Sequence, residues 1–504
     1  MTAINSEVLI IGSGFGAAAP ALRLSQAGLQ VTVVEKGPFL RVPGDFRQTQ
    51  DPRYLRKYLT GLSGDNINFT YAEALGGGSG FYEMVSLRAP SLAFEQTDAS
   101  GRLIWPTGID RTTLDPHYEE AEEMLRVRQL DLERIPRTGL VFSLMMKRLG
   151  YTCEQCRYAV VGCLGSGFCV TGCVFGAKQT LHMNYLKEAE EAGASIHTGI
   201  EALVVRPLGD AVQNRDGTDL SRAPYRYQVS CRRADGSNVH YKAKLLILAA
   251  GTVGTAGLLL RSRRHLPNLS DQVGKNIAFN GSVKVAGLLC EDLPDGDMYS
   301  GITHPGMISY EFLDSHGVTV APAKVLPLMA VAAARLRLEG DARTPSYWGA
   351  PHVELMKNFR RRAIALLALG LTPPTAELKL SNGKLHPRLD LTDEIRTYYH
   401  RTRALLHSIL TDTGCRVIET DFVDSKGSPH EDLFFSTAHQ VGSCRMADSI
   451  ERGVVDADGQ AFGYPGLFVT DGSALSGSLA VNTSLTILAN AERVSAGMVT
   501  RYRS

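Results

Sequence analysis

Between Glu7 and Gly37 the stretch EVLIIGSGFGAAAPALRLSQAGLQVTVVEKG passes from an unbroken apolar run to a glycine turn, then to small and apolar residues at helical spacing, then to a second apolar run. The pattern predicts a buried strand over 8–11, a helix through Ser25 and a strand over 31–35, which together make a βαβ unit. Two later segments repeat the strand-into-helix pattern. Residues 245–250 are continuously apolar and run through Gly251 into a helical stretch, and residues 467–470 lead through Asp471 and a Gly/Ser-rich loop to a helix beginning near Thr483. Strands apolar at every position are buried on both faces, as in a parallel sheet.

The middle of the chain reads differently. Residues 375–391 alternate, turn at Asn382 and Gly383 and alternate again, the signature of a hairpin. The following DEIRTYYHRTRALLHSIL predicts an amphipathic helix with Ile395, Tyr399, Leu406 and Ile409 on or near one face. Arg360, Arg361 and Arg362 in KNFRRRAIALLALG read as a solvated helix start in preference to a site for an anionic substrate or partner, and Glu354 as a solvated helix-face residue in preference to an acidic group in a substrate cavity. The expected fold is α/β. A Rossmann-like nucleotide-binding domain is assembled from the discontinuous segments 1–290 and 432–504, and an α+β substrate domain with an antiparallel sheet spans 291–431.

The βαβ unit carries chemistry. Gly12 permits the tight turn, Gly14 removes a side chain that would hold a pyrophosphate off the backbone, and Ala17 lets helix and strand pack closely. The helix N-terminus then offers N–H groups to phosphate. Glu35 ends the second strand, where a carboxylate accepts from ribose hydroxyls. Pro20 falls in the first two helical turns, where a missing N–H is least disruptive. LGGGSGFYEM, residues 75–84, adds a second glycine loop able to wrap a phosphate or a ring edge. This unit alone leaves FAD and NAD open. An assembly from both ends and the middle of the chain, however, is unlike the sequential strands of a classical NAD dehydrogenase.

Composition narrows the field. A chain of 504 residues holds two to four domains or one large composite unit. With 53 Lys plus Arg against 52 Asp plus Glu, its overall field draws in neither nucleic acid nor an anionic membrane. The first apolar run enters a glycine turn directly, which argues against a leader, and residues 325–334 are interrupted by Pro327 and too short for an integral membrane segment. A cytoplasmic enzyme is expected. Five of nine cysteines cluster at Cys153, Cys156, Cys163, Cys169 and Cys173. Their spacing lacks the second C-x-x-C of a zinc ribbon, so packed thiols are favoured over a disulfide or a metal site, and no metal is expected.

HQVGSCRM at 439–446, followed by VVDADGQAFGYPGLFVTDGSALSGSLAVNTSLTILANAERV, resembles the glucose–methanol–choline family of FAD oxidoreductases. The glycine fingerprint, the LGGGS loop, Trp105–Pro106 with LDPHYEEAEEMLRV after it, and AAGTVGTAGLLL share the resemblance. CVTGCVFGAKQT looks like the branch of cholesterol oxidases, long-chain alcohol oxidases and bacterial sugar or aminoglycoside alcohol dehydrogenases. The chain departs at Phe81, Tyr82 and Glu83, where an Asn is usual, and at Thr483, where a Pro usually follows the catalytic Asn.

The resemblance implies FAD held by Gly12, Gly14, Phe15, Gly16, Ala17, Glu35, Lys36, Gly77, Gly78, Ser79, Tyr82, Val204, Ala250, Gly251, Asp471, Gly472, Asn482 and Thr483. It implies catalysis by His439 and Asn482. Oxidising a small-molecule alcohol requires a proton acceptor, which an imidazole supplies, and a donor that orients the oxygen, which an amide supplies, while flavin takes the hydride. The electron acceptor, oxygen or another, is left open, as is the oligomeric state. A flavin-fold lyase or isomerase and a non-catalytic cofactor-binding protein are the competing readings.

Overall fold

The computed structural model describes residues 3–49, 52–209, 220, 223–298, 301–302, 305–324, 336–340, 349–420 and 433–502. The run 325–334 weighed above as a membrane segment therefore lies outside the described residues. Among those described, no helix is long and apolar enough to cross a membrane.

Along the chain the elements that build the site are β1 (Ile4–Ile11), α1 (Phe15–Gln26), β2 (Val31–Val34), α2 (Arg111–Met124), α3 (Arg137–Arg148), β3 (Ser195–His197), β4 (Ile200–Pro207), β5 (Tyr227–Arg233), β6 (Asn238–Leu248) and α4 (Gly251–Ser262). They continue with β7 (Val283–Leu288), β8 (Val318–Ala323), β9 (Leu336–Leu338), α5 (Ala350–Arg362), β10 (Ala363–Gly370), β11 (Ala376–Ser381), β12 (Lys384–Leu389), α6 (Asp393–Asp412), β13 (Arg416–Thr420), β14 (Leu467–Val469) and α7 (Ser484–Tyr502).

The first sheet has seven strands in the order β3-β2-β1-β6-β5-β4, with β14 also paired to β6. Its centre is parallel: β3, β2, β1, β6 and β14 run the same way, while β5 pairs antiparallel with both β6 and β4. The continuously apolar runs are its most buried strands, Val8, Leu9 and Ile10 of β1 being fully inaccessible and Leu245–Leu248 of β6 likewise. Helices α1 and α2 pack on α7, so the first and last helices of the chain share one layer. Arg23 of α1 clamps Glu492 of α7 through two 2.8 Å bonds, and Tyr185 donates to the same carboxylate at 2.6 Å. Glu492 is 1% exposed. Glu492→Gln removes the charge from a buried, doubly bonded pair, and we expect it to lower stability by about 2–3 kcal/mol, read as a lower urea midpoint in the FAD-bound protein.

Pro20 lies within α1, and the bond its missing N–H leaves unmade would have ended on the carbonyl of Gly16. That carbonyl accepts from the Thr470 hydroxyl at 2.7 Å instead. The proline thus frees an acceptor that ties α1 to the end of β14.

The second sheet has five antiparallel strands in the order β8-β10-β7-β13-β9. One face buries Val283, Val285, Val318, Val320, Ile364 and Leu366 with residues of α3 and α6, Leu406 and Ile409 among them. Three expectations are corrected here. Its middle strand, β7, precedes residue 291, so the sheet begins before the boundary read from the sequence. The hairpin β11–β12 pairs as read but forms its own ribbon against α4 and the 64–65 turn, because Gly64, Gly257 and Gly274 leave room for Pro387, Leu385 and Leu378. Arg360, Arg361 and Arg362 end α5 rather than start a helix; Arg360 pairs with Asp297, Arg361 and Arg362 with Asp295, and Arg362 also donates to the Leu289 and Cys290 carbonyls. Cations in the last helical turn suit the dipole. Glu354 bonds Lys357 and Asn358 on the exposed side of α5.

Candidate functional site

The turn after β1 is as tight as its glycines allow. Gly12 has φ +98°, and a Cβ there would lie 2.4 Å from the Ala249 carbonyl oxygen of the neighbouring strand end. Gly16 packs so closely that a Cβ would meet the Cα of Asp471 at 2.4 Å, and Ala17 is fully buried behind it. The two glycine loops touch, since a Cβ on Gly77 would come within 2.9 Å of the Gly14 Cα. Ser13 joins them to the acid: its hydroxyl accepts from Gly76 N at 3.0 Å and donates to Glu35 at 2.6 Å. Glu35 also accepts from Gly37 N, and burial pushes its carboxyl above the usual range. Ser79 donates to the Gly76 carbonyl and accepts from Leu181 N. Ser13 and these bonds were not legible in the fingerprint.

Gly78 and Ala250 are enclosed by these loops yet accessible, while Gly12, Gly14, Phe15, Gly77, Val204 and Gly251 are partly so. They outline a seam from the N-terminus of α1 past the glycine loop, where the two glycine loops meet at Gly14 and Gly77. That fits a dinucleotide. Lys36 turns outward to pair with Glu73 at 2.7 Å.

Asp471 is placed between strand ends rather than toward open space. One oxygen accepts from Gly251 N (2.7 Å) and the Thr255 hydroxyl (2.6 Å), the other from Ser473 N and its hydroxyl. Burial raises its pKa while these bonds oppose the shift. The carboxylate locks the start of α4 to the loop after β14, and Gly472 lies beside α4 and receives Gly442 N on its carbonyl.

Forty-three residues apart in sequence, His439 and Asn482 meet with 3.1 Å between Nε2 and Nδ2. Both are partly accessible. Their backbones are held by residues that no motif pointed to. Asn280, in the left-handed region, donates to the Val481 carbonyl and accepts from Leu479 N and Ala480 N at 2.7–3.0 Å. Thr319 of β8 donates to the Ala480 carbonyl at 2.5 Å. Thr437 donates to the Phe279 carbonyl and accepts from His439 N, and Ala278 and Val441 exchange two backbone bonds. The stretch 278–280, just ahead of β7, therefore aligns both partners. Thr483 is buried and its carbonyl takes the Ile487 N–H as α7 begins.

At the departure after the glycine loop, Phe81 packs outward with Phe46 and Tyr58, while Tyr82 meets Phe15 edge-on at 5.4 Å and donates to the Gln179 carbonyl. Lys178, 1% exposed, donates to the carbonyls of Gly80, Tyr82 and Cys169 at 3.0, 2.7 and 2.5 Å. Burial holds its ammonium down at about 8. It fastens the glycine loop to the cysteine loop. Cys163, Cys169 and Cys173 line one small pocket there as free thiols, and among the described residues no group of three side chains is arranged to hold a metal ion.

Models of the GMC oxidoreductase family match residues 3–280 and 381–491. The chain is 29% identical to a cholesterol oxidase of Mycobacterium tuberculosis over 97% of its own length and 90% of that protein's. It is 25% identical to a cholesterol oxidase of Acinetobacter baumannii, over 97% and 93% respectively. A long-chain-alcohol oxidase of Arabidopsis thaliana is 24% identical across 98% of this chain and 67% of the relative. The crystal structure of pyridoxine 4-oxidase from Mesorbium loti superposes with a TM-score of 0.66 at 16% identity, covering 98% of this chain and 99% of that one, which establishes the shared fold. With models of the family matching most of its length, the chain belongs to the GMC oxidoreductase family and is an FAD-dependent alcohol oxidoreductase.

Proposed function

We propose that the protein oxidises the CH–OH group of a small-molecule alcohol to an aldehyde or ketone, with His439 and Asn482 as the catalytic pair. The observation that carries this reading is the 3.1 Å contact between the two side chains, both of them partly accessible. An alcohol oxygen set beside the pair accepts from the second N–H of the Asn482 amide, and its O–H takes the place of that amide's contact to Nε2 of His439, to which it gives its proton. The amide fixes the oxygen and favours developing alkoxide, and the neutral imidazole takes the proton as that charge develops. Bound FAD supplies the hydride acceptor. Glu35, the Gly12–Gly16 turn and Gly77–Gly78 would hold its AMP and pyrophosphate portions, and the face of the second sheet opposite α3 and α6 would form the substrate wall. The relatives named for cholesterol and long-chain alcohols support a bulky alcohol as the substrate class.

The test is anaerobic mixing of the holoenzyme with a panel of sterols, long-chain alcohols and polar alcohols while the visible flavin band is followed. Loss of that band with at least one alcohol is expected. A flavin that no alcohol bleaches would favour a cofactor-binding role without alcohol oxidation.

A further inference from the structure

On the face of the second sheet opposite α3 and α6, Lys284 has no hydrogen-bond or ion-pair partner among the described residues. Antiparallel register places Ala321 of β8, Leu367 of β10 and Lys284 of β7 in one row across the strands, so their side chains share a face. The opposite face is the one packed with Val283, Val285 and Leu366. The row's own face looks toward the catalytic segment: Thr319, two residues before Ala321, donates to the Ala480 carbonyl, two residues before Asn482. Lys284 has protein around it on nearly every side, yet its side chain stays accessible, as a side chain lining an internal cavity does. Among the described residues it makes no hydrogen bond and no ion pair.

The charge around it is unbalanced. Glu83, directly after the glycine loop, acts electrostatically on three ammonium groups, those of Lys178, Lys284 and Lys324. Lys178 is satisfied by three carbonyls and Lys324 donates to the Gly167 carbonyl. Asp297, which also acts on Lys324, is paired with Arg360, so Glu83 is the carboxylate shared by the three ammonium groups, and Lys284 is the one of them that makes no hydrogen bond among the described residues. Burial disfavours that ammonium, lowering its pKa, and filling the cavity with a wholly apolar molecule would strip its remaining water without replacing it.

We infer that Lys284 binds an oxyanion, a carboxylate or phosphate, carried by the alcohol substrate away from the reacting carbon. The inference rests on the alcohol-oxidation reading above and names the class of alcohol: one with an acidic group at a distance from its CH–OH, held by Lys284 while His439 and Asn482 engage the hydroxyl. Leu367 and Ala321 between the two ends suit an apolar connecting body.

Matched pairs of alcohols test it: ω-hydroxy acids against n-alcohols of equal chain length, and a sterol with a side-chain carboxylate against the parent sterol. In the wild-type holoenzyme the acid member is expected to reduce the flavin with an apparent Kd about tenfold lower or more, the range of a charge-assisted hydrogen bond. In Lys284→Met the ratio of acid to neutral collapses toward one, and Lys284→Arg restores most of it. An unhydroxylated fatty acid serves as a binding probe independent of turnover: its perturbation of the flavin spectrum is expected to require about tenfold more ligand in Lys284→Met. Equal apparent Kd values for acid and neutral alcohols in the wild type, or a preference that survives in Lys284→Met, would overturn the assignment. If no alcohol of either kind reduces the flavin, the oxidation reading fails, while the fatty-acid titration still decides whether Lys284 receives an oxyanion.

Discussion

His439→Ala is expected to slow reduction of the bound flavin by about 10²-fold or more while leaving FAD in place. In the proposed reaction the imidazole takes the hydroxyl proton, and it lies 3.1 Å from the Asn482 amide that would hold the oxygen. Without it the proton must leave to water from a site where the alcohol is still correctly held, so binding should change far less than rate. The substitution is a clean one because the backbone of this stretch is fixed independently of the ring. Thr437 bonds His439 N and the Phe279 carbonyl, and Val441 pairs with Ala278. Rapid anaerobic mixing separates the limiting reduction rate from the apparent Kd for alcohol. Reduction within a few-fold of wild type would remove His439 as the base, and release of FAD would mean that the ring has a structural role instead.

What the sequence made legible, and what it hid, follows from the range of the interactions involved. The β1–α1–β2 unit was readable because every signal in it is local: an apolar run, glycines where a side chain would strike Ala249 or Asp471, and an acid at the strand end. His439 and Asn482 were readable as motif residues, yet the residues that align them were not. Asn280 resembles any polar residue before a glycine, and its role arises from three bonds to a segment about two hundred residues later. The one local hint is the Asn280–Gly281 pair, which favours a left-handed bend. The hairpin β11–β12 was found by alternation, which specifies pairing within the ribbon but not the surface beneath it. Pocket-forming glycines 64, 257 and 274 decided that, and they are scattered through the other half of the molecule. The three arginines 360–362 were placed at the wrong end of a helix because a charge run carries no direction, and their partners Asp295 and Asp297 are more than sixty residues away. Lys284 drew no notice because a lysine in an alternating strand usually faces solvent. Only the register across β8, β10 and β7 places it on the face of the sheet that also carries Thr319 and Ala321.

Gly16→Ala tests the packing on which the dinucleotide end depends, and we expect it to weaken FAD binding by at least about tenfold and to lower stability by about 1–3 kcal/mol. The added Cβ would lie 2.4 Å from the Cα of Asp471 and 2.7 Å from its N, backbone atoms that no rotamer change moves aside. Asp471 is itself pinned through Gly251, Thr255 and Ser473, so the strain falls on the first turn of α1. Lifting that turn lengthens the bond from Thr470 to the Gly16 carbonyl, the acceptor that Pro20 leaves free, and shifts the N–H groups that would face the pyrophosphate. Titration of FAD into the apoprotein reads the affinity, and melts at one fixed FAD concentration keep ligand linkage from masquerading as intrinsic stability. Gly497→Ala in α7 is the matched control, since nothing lies within 4 Å of its added Cβ. It should keep FAD affinity and gain up to about 1 kcal/mol from helix propensity. Equal FAD affinity in the two variants would show that the contact between α1 and Asp471 does not set the phosphate-binding turn.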